Sequence, residues 1–324
     1  MKRREKVLVT GAGGFIGHHL VSYLREKGYW VRGVDLKHPE YSASDANEFL
    51  ILDLRDKESA IIATKGIDHV YALAADMGGM GYISSHNALI LYNNASININ
   101  TLEGARINKA KRLFYSSSAC VYPEYKQIEA NVKPLREEDA YPAQPQDAYG
   151  WEKLFTELLA RYYREDYNMQ TRVARFHNIF GPLGTWDGGR EKAPAAICRK
   201  IAKARLMGQE EIEIWGDGEQ TRSFCYIDDC VEGIYKLMMS NYFEPLNIGQ
   251  DRMVTINQLS DIISDIAGIK ISRKHIPGPQ GVRGRNSDNT KLKQILNWEP
   301  QVSLEEGLEK TYRWIEKQIE STIK

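Results

Sequence analysis

A tyrosine and a lysine four residues apart indicate proton-transfer chemistry in this chain. Tyr149 and Lys153 stand in the segment PQDAYGWEK, and residues at i and i+4 share one face of a helix. A phenol with an ordinary pKa near ~10 is a poor base at neutral pH, so a neighbouring ammonium would favour the phenolate. The same spacing also occurs where a tyrosine only covers the hydrophobic core and packs on the aliphatic part of a lysine side chain.

A serine and a cysteine follow a predicted buried strand at residues 111–115. Ser118 and Cys120 lie in the stretch SSSACVYP, just past the strand, and ligands of α/β proteins bind beyond the carboxyl ends of strands. Cys120 is therefore a buried filler, a metal ligand, a nucleophile or a proton donor. Lys192, in the glycine-rich segment GGREKAPAA, is a second candidate, although lysines in such loops are commonly solvated.

The four cysteines, Cys120, Cys198, Cys225 and Cys230, form no CxxC pair and no disulfide framework. No group of histidines and cysteines has zinc spacing, so we expect no metal. Reduced thiols predict a cytoplasmic enzyme. The opening MKRREKVLVT runs from charge directly into a strand, so we expect no secretion signal.

A glycine-rich turn follows the first predicted strand and opens a helix. In TGAGGFIG, Gly11 permits the tight turn, Gly14 lets the backbone approach a pyrophosphate, and Gly17 allows close helix–strand packing. Asp35 ends the second strand, 24 positions after Gly11. A carboxylate there binds a ribose and repels a 2′-phosphate, which favours NAD over NADP, although Arg32 and Lys37 oppose that choice. The predicted cofactor-binding residues are Gly11, Gly14, Phe15, Ile16, Gly17, Asp35, Asp53, Ala74, Tyr149 and Lys153.

Strands alternate with helices over the first half of the chain. The predicted strands are VLVT, WVRGVD, FLILDL, HVYALAA, RLFYSSS and TRVARFHNIFG, with long helices near 85–109 and 148–166. This alternation predicts an α/β fold with a Rossmann-type doubly wound parallel sheet. Glycine and proline become frequent beyond Gly181, which predicts a smaller C-terminal substrate-binding domain with its boundary near residue 178. We expect domains 1–177 and 178–324, with segments of the second returning to the first.

Composition excludes several other classes of protein. The 324 residues are 42% hydrophobic and 27% charged, as in ordinary globular chains. Lys plus Arg (43) equals Asp plus Glu (43), so no overall field attracts nucleic acid or an anionic membrane. No apolar run approaches the ~18–20 residues that span a bilayer.

The trio Ser118, Tyr149 and Lys153 resembles the extended, nucleotide-sugar-modifying branch of the short-chain dehydrogenase/reductase superfamily. The motifs AADMGGMGYI, YSSSACVYPE, PQDAYGWEK, RFHNIFGPLGTWDGGREKAPAA, WGDGEQTRSF and HIPGPQGVRGRNSDN resemble the GDP-mannose 3,5-epimerase family over residues 6–318. Other nucleotide-sugar enzymes generally lack the cysteine after Ser-Ala and the GGREKAP motif. Dehydratases tend to carry Asp-Glu where this chain has Ala119-Cys120.

That resemblance implies a mechanism for GDP-mannose. Tyr149 would take the C4 hydroxyl proton, NAD the C4 hydride, and Ser118 would hydrogen-bond the developing ketone. The ketone acidifies the C3 and C5 protons, so Cys120 and Lys192 would act as base and acid on opposite faces of the sugar. The implied products are GDP-L-galactose and, when only C5 inverts, GDP-L-gulose. A proton carrier is then the role implied for Cys120.

The resemblance also implies substrate contacts and a homodimer built from the two long helices. The implied substrate-binding residues are Gly78, Ser118, Cys120, Asn178, Glu191, Lys192, Ala193, Lys200, Gln220, Thr221, Arg222 and Arg285, with Arg283 beside them. Two alternatives stay open. One is a 4-epimerase or 4,6-dehydratase acting on another nucleotide sugar, and the other is a non-enzymatic NAD-binding regulator.

Overall fold

A computed structural model describes residues 4–323 of the chain. The strands are β1 Lys6–Thr10, β2 Trp30–Asp35, β3 Glu48–Ile51, β4 His69–Ala72, β5 Arg112–Ser118, β6 Gln170–Phe176, β7 Ile179–Phe180, β8 Glu211–Trp215, β9 Thr221–Ser223, β10 Cys225–Tyr226, β11 Leu246–Ile248, β12 Met253–Thr255, β13 Ser272–Ile276 and β14 Gly284–Arg285. The helices are α1 Phe15–Glu26, α2 Lys57–Thr64, α3 Met80–Ser85, α4 Asn87–Ile107, α5 Ala148–Tyr167, α6 Ala193–Met207, α7 Ile227–Met239, α8 Ile256–Ala267, α9 Thr290–Leu296 and α10 Leu304–Ile323. Short 3-10 helices cover Ala119–Val121, Glu124–Lys126 and Glu137–Ala140.

The central sheet has seven strands in the order β11-β6-β5-β4-β1-β2-β3, and every pair in it is parallel. This confirms the predicted doubly wound α/β class. The chain runs outward from β1 through β2 and β3, and then in the opposite direction from β4. Ligands bind at such a reversal, outside the carboxyl ends of the strands.

Burial explains why the first elements form. Strand β1 is apolar on both faces, with Val7, Leu8 and Val9 fully buried, as expected of a strand covered by helices on both sides. Helix α1 buries Leu20 and Leu24 in the core, while its opposite face is more exposed to solvent. A single cluster of buried side chains extends from this layer into α6, α8 and α10.

The second half of the chain forms three small sheets, β10-β7, β12-β9-β14 and β13-β8. It also contributes β11, which pairs with β6 at one edge of the central sheet. The division at residue 178 stays a prediction, and β11 is the strand by which the later segment joins the first sheet. Within residues 4–323, no helix is long and apolar enough to cross a membrane.

Three predicted boundaries differ from the structure. The third strand ends at Ile51, because Asp53 accepts the backbone N–H of Arg55 at 3.0 Å and the chain turns there. The helix expected from residue 85 is divided at His86, whose backbone is not helical. The strand expected over 171–181 is interrupted by Asn178, which has a φ of 45°.

A buried ion pair fixes α5 to the middle of the central sheet. The Glu157 carboxylate accepts Arg175 Nε at 2.9 Å and Nη2 at 2.7 Å, and the two side chains are only 5% and 3% exposed. Ser117 Oγ donates to the same carboxylate at 2.5 Å. The pair therefore joins α5 and β6 to the end of β5, at the residue before Ser118.

We expect Glu157→Ala to lower the free energy of unfolding by about 3–5 kcal/mol, because it leaves the buried Arg175 guanidinium without a counter-charge. Urea denaturation measures this. Glu165→Ala is the matched control on the same helix, since Glu165 is half-exposed and 3.6 Å from Arg161; it should cost about 0.5 kcal/mol or less. Equal losses for the two variants would contradict the assignment of Glu157 as the anchor.

Candidate active site

The glycine turn at the β1–α1 junction forms an open cradle. Gly11 has a φ of +71°, and a Cβ there would lie 2.9 Å from the backbone nitrogen of Ala74. A Cβ on Gly17 would lie 2.1 Å from Gly11 O, so only glycine allows this helix–strand approach. Gly14 is exposed at the start of α1. Its free face and the helix N-terminus fit a pyrophosphate, as the sequence predicted.

Asp35 holds this cradle from the end of β2. Its carboxylate accepts the N–H of Gly13 at 2.9 Å and that of Leu36 at 2.6 Å. A Cβ on Gly13 would lie 2.2 Å from Lys37 O. The sequence reasoning missed this constraint, because it assigned roles only to Gly11, Gly14 and Gly17. The turn and the carboxylate together fit the pyrophosphate and ribose of NAD.

The two basic residues that weakened the choice of NAD are paired with acids. Arg32 Nε donates to Glu48 at 2.6 Å, and Lys37 Nζ lies 3.1 Å from Glu40. Neither cation is therefore free to compensate a 2′-phosphate beside Asp35. This favours NAD over NADP on the geometry of the chain itself.

The other predicted cofactor residues differ in how they are placed. Phe15 and Ile16 form the first turn of α1, and the Ala74 N–H donates to Thr10 Oγ1 at 3.1 Å at the end of β1. Asp53 lies past the end of β3, and its hydrogen bonds from Arg55 lower the pKa of the Asp53 carboxyl. Asp53 thus already has a cationic partner, which the sequence reasoning did not anticipate.

Tyr149 and Lys153 lie on the buried face of α5. Lys153 Nζ donates to Ser116 O at 2.8 Å and lies 5.4 Å from the centre of the Tyr149 ring. Burial raises the pKa of Tyr149 well above its ordinary value, with Cys120 acting in the same direction and a Ser118 hydrogen bond opposing it. Burial also lowers the pKa of Lys153. Burial thus opposes the phenolate form of Tyr149, and the predicted effect of Lys153 on the phenol stays a prediction.

Cys120 stands next to this pair on the 3-10 helix that follows β5. Its backbone N–H donates to Ser118 Oγ at 3.2 Å. Cys120 is partly exposed, whereas Cys198, Cys225 and Cys230 are buried. Its sulfur lies 3.3 Å from Arg285 Nη1, which donates to it.

Gly150 allows α5 to approach the cysteine loop. A Cβ on Gly150 would lie 2.2 Å from Cys120 O, so the residue after Tyr149 has no room for a side chain. The sequence reasoning missed this role. The signal that could have revealed it is the glycine that directly follows the tyrosine within a predicted helix. The contact fixes Tyr149 and Cys120 as neighbours.

Lys192 approaches the same cleft from the second half of the chain. It is the residue that precedes α6, and it keeps access to solvent. Desolvation by the cleft walls lowers the pKa of Lys192, while Cys120 and Cys230 act to raise it and Arg285 to lower it further. Cys120 and Lys192 are therefore close enough to interact electrostatically, and their roles in proton transfer stay a prediction.

Two arginines add positive charge beside Cys120. Arg222 and Arg285 are directly paired residues of β9 and β14, and neither has a carboxylate partner among the described residues. Arg222 donates to the carbonyls of Thr221 and Val282, each at 2.7 Å. Burial lowers the pKa of Arg222 to about 9, the charge of Arg285 acts in the same direction, and Cys120 opposes them. Two guanidinium groups in register and without a carboxylate partner have the charge and donors that binding of an anion needs.

Several predicted substrate residues are held by partners of their own. Asn178 Nδ2 donates to Ser223 O at 2.8 Å, and Lys200 Nζ donates to Glu213 O at 2.6 Å. The Glu191 carboxylate accepts Arg199 Nη2 at 2.6 Å. Arg283 is held in the same way, by a two-point ion pair with Asp217. A contact of Arg283 with the substrate would compete with this ion pair, and it stays a prediction.

The remaining predicted residues lie on several different elements of the fold. A Cβ on Gly78 would lie 3.0 Å from the Tyr82 side chain, and Ala193 is the first residue of α6. Gln220 is buried, donates to Trp215 O at 3.3 Å, and has an Oε1 without a protein partner. Thr221 Oγ1 donates to Ala130 O. Among the described residues, no group of His, Cys, Asp and Glu could hold a metal ion.

Comparison with known proteins gives consistent matches. The model of the NAD dependent epimerase/dehydratase family matches residues 7–249. A GDP-mannose 3,5-epimerase from Oryza sativa subsp. japonica is 52% identical over 97% of this chain and 82% of its own length. The UDP-glucose 4-epimerase of Thermotoga maritima superposes with a TM-score of 0.84 at 30% identity, covering 97% of this chain and 99% of that one. The Bacillus cereus UDP-glucuronic acid 4-epimerase, solved with UDP-glucuronic acid and NAD, gives 0.81 at 27% identity, with coverages of 97% and 99%.

Proposed function

This chain belongs to the NAD dependent epimerase/dehydratase family, and from that membership we infer that it catalyses the epimerisation of GDP-α-D-mannose at C3 and C5. Its product is GDP-L-galactose, with GDP-L-gulose formed when only C5 inverts. Its cofactor is NAD. The 52% identity to a GDP-mannose 3,5-epimerase over nearly the whole chain carries this conclusion.

The roles of individual residues are proposals that rest on the cleft geometry. The Gly14 cradle and Asp35 would hold NAD, which would supply the oxidising power for a transient ketone at C4. Tyr149 receives the C4 hydroxyl proton, and Ser118 hydrogen-bonds the resulting C4 ketone. Lys153 holds the end of strand β5 through Ser116 O and adds positive charge behind the phenol.

The C4 ketone acidifies both neighbouring C–H bonds, because either carbanion delocalises onto the carbonyl oxygen. Cys120 and Lys192 face the cleft from β5 and α6, and we assign them as the base and acid that invert C5 and C3. Positioned proton transfer of this kind typically contributes about 10²–10⁴-fold per step. A 4-epimerase has no need of a second acid–base pair.

Substrate binding is assigned by charge. Arg222 and Arg285, paired in register and free of carboxylates, suit the GDP diphosphate, since arginine binds phosphate oxygens in a bidentate manner. Gln220 has an acceptor available for the nucleotide end. We propose as further contacts Gly78, Asn178, Glu191, Ala193, Lys200 and Thr221.

A homodimer is proposed from the outer faces of α4 and α5. These helices pack against each other and expose large apolar side chains, including Tyr92 at 68%, Trp151 at 48% and Phe155 at 45%. Trp151 and Phe155 are four residues apart, so they share one face. An exposed apolar patch of this size suits an isologous interface with a second copy.

The four unpaired cysteines support a cytoplasmic location.

We expect incubation with GDP-mannose in deuterated water to place deuterium at C3 and C5 of the sugar, because both carbons are deprotonated next to the C4 ketone. NMR of the recovered nucleotide sugars measures this. Recovery of unlabelled GDP-mannose alone would contradict the proposed function. Inversion confined to C4 would indicate a 4-epimerase, and loss of the C6 hydroxyl a dehydratase.

We expect Cys120→Ala to leave bound NAD unchanged and to abolish deuterium incorporation, because the thiol contacts the sugar and not the cofactor cradle. The NAD content of the purified protein and the same NMR assay test this. Cys198→Ala, which removes a buried thiol of α6, is the control and should retain incorporation. Wild-type levels of exchange in Cys120→Ala would remove Cys120 from the mechanism.

We expect light scattering at micromolar concentration to give twice the chain mass of 37.0 kDa. Phe155→Glu should shift the mass to that of one chain, because it places a charge in the apolar patch. Met207→Glu is the control, since Met207 is 57% exposed on α6 and should leave the dimer intact. A wild-type protein of single-chain mass would refute the interface.

A further inference from the structure

The segment that precedes Lys192 is held on two opposite sides. The Glu191 carboxylate binds Arg199 of α6 at 2.6 Å. Arg190 turns the other way, toward the loop after β4. Gly188 and Gly189, just upstream, have φ values of +91° and +84° with open space around them. The direction of Lys192 therefore depends on what holds its two preceding residues.

Arg190 makes three contacts with the loop after β4. Its carbonyl accepts the N–H of Gly79 at 3.0 Å. Its guanidinium lies 3.8 Å from the centre of the Tyr82 ring and 3.7 Å from Asp76 Oδ1. A Cβ on Gly79 would lie 2.8 Å from Glu191 O, so the two segments approach as closely as glycine allows.

The loop that receives Arg190 is itself anchored to the first half of the chain. Tyr82 OH donates to Asp76 Oδ1 at 2.9 Å, and the other carboxylate oxygen of Asp76 accepts Asn93 Nδ2 at 2.9 Å. The Asp76 N–H donates to Asn94 Oδ1 at 2.6 Å. Asn93 and Asn94 are buried residues of α4, so Asp76 cannot move freely.

Tyr82 also packs near the predicted catalytic residues. Together with Met77 and Cys120, it packs against the small apolar cluster that contains Tyr149. Its ring stacks on His86, with centroids 4.6 Å apart, and contacts the guanidinium of Arg190. Tyr82 therefore links Arg190 to the cluster that contains Tyr149. Arg190 is separated from Lys192 by a single residue.

We propose that Asp76, Tyr82 and Arg190 are positioning residues that hold Lys192 at a fixed place relative to Cys120. This set, the Arg190 clamp, joins the two halves of the chain across the cleft. The inference rests on the proposed function. As a consequence, the clamp determines the fraction of bound sugars that are inverted at both C5 and C3 before release.

The product ratio follows from the geometry. A second inversion requires base and acid to stay aligned on opposite faces of the same bound ketone. When the Lys192 segment is loose, the second inversion slows relative to hydride return and release. A loosened clamp therefore shifts the initial products toward the singly inverted sugar, GDP-L-gulose, at the expense of GDP-L-galactose.

The test is the initial ratio of the two products in Arg190→Met, measured by NMR or chromatography before re-equilibration. We expect total turnover to fall about 10- to 100-fold, as small misplacements of catalytic groups do, with the ratio shifted toward GDP-L-gulose and with bound NAD and KM unchanged. Tyr82→Phe, which keeps the ring under the guanidinium and loses the hydroxyl to Asp76, should give an intermediate ratio.

Arg252→Met is the matched control, because Arg252 makes an exposed two-point ion pair with Glu305 far from these loops. It should leave rate and ratio unchanged. The ratio does not depend on the fraction of folded enzyme, and Tyr82→Phe decides if Arg190→Met does not fold. An active wild type whose ratio is unchanged in these variants overturns the clamp alone. A wild type that forms neither epimer overturns the proposed function as well.

Discussion

The close approach of helix α5 to the end of strand β5 is the constraint on which the site depends. Gly150 lies so near Cys120 O that any Cβ would overlap it. The same approach places Lys153 on Ser116 O and Glu157 on Ser117. Gly150, Lys153 and Glu157 lie on successive turns of one helix. They contact Cys120, Ser116 and Ser117, which lie at or just past the end of one strand. Ser118, Cys120 and Tyr149 gain their mutual geometry from this contact.

The second half of the chain completes the site with charge. Strands β9 and β14 bring Arg222 and Arg285 into register, and the start of α6 brings Lys192. Arg285 reaches the cysteine directly, with Nη1 3.3 Å from its sulfur. In the proposed mechanism, the first half of the chain would hold the cofactor and one proton carrier, and the later segment would provide the second carrier and the groups that bind the diphosphate. Strand β11 and the shared core keep the two parts at a fixed distance.

The parts of the molecule that could be predicted from sequence are those encoded within one short segment. The glycine turn with Asp35, the strand RLFYSSS and the spacing of Tyr149 and Lys153 depend on local backbone geometry, and the structure has them where expected. What was missed depends on residues far apart in sequence. The pairing of Arg283 with Asp217, the proton affinity of Tyr149 and the contact of Arg190 with Tyr82 arise only when distant segments meet, because burial and partner choice are tertiary properties.

The pairing of Arg222 with Arg285 has a consequence for the energy of the unliganded fold. Like charges on directly opposed strand positions repel, and burial already lowers the pKa of Arg222 to about 9. This repulsion weakens the pairing of β9 with β14. An anion bound between the two guanidinium groups would offset it, so anion binding and the pairing of these two strands would be thermodynamically linked.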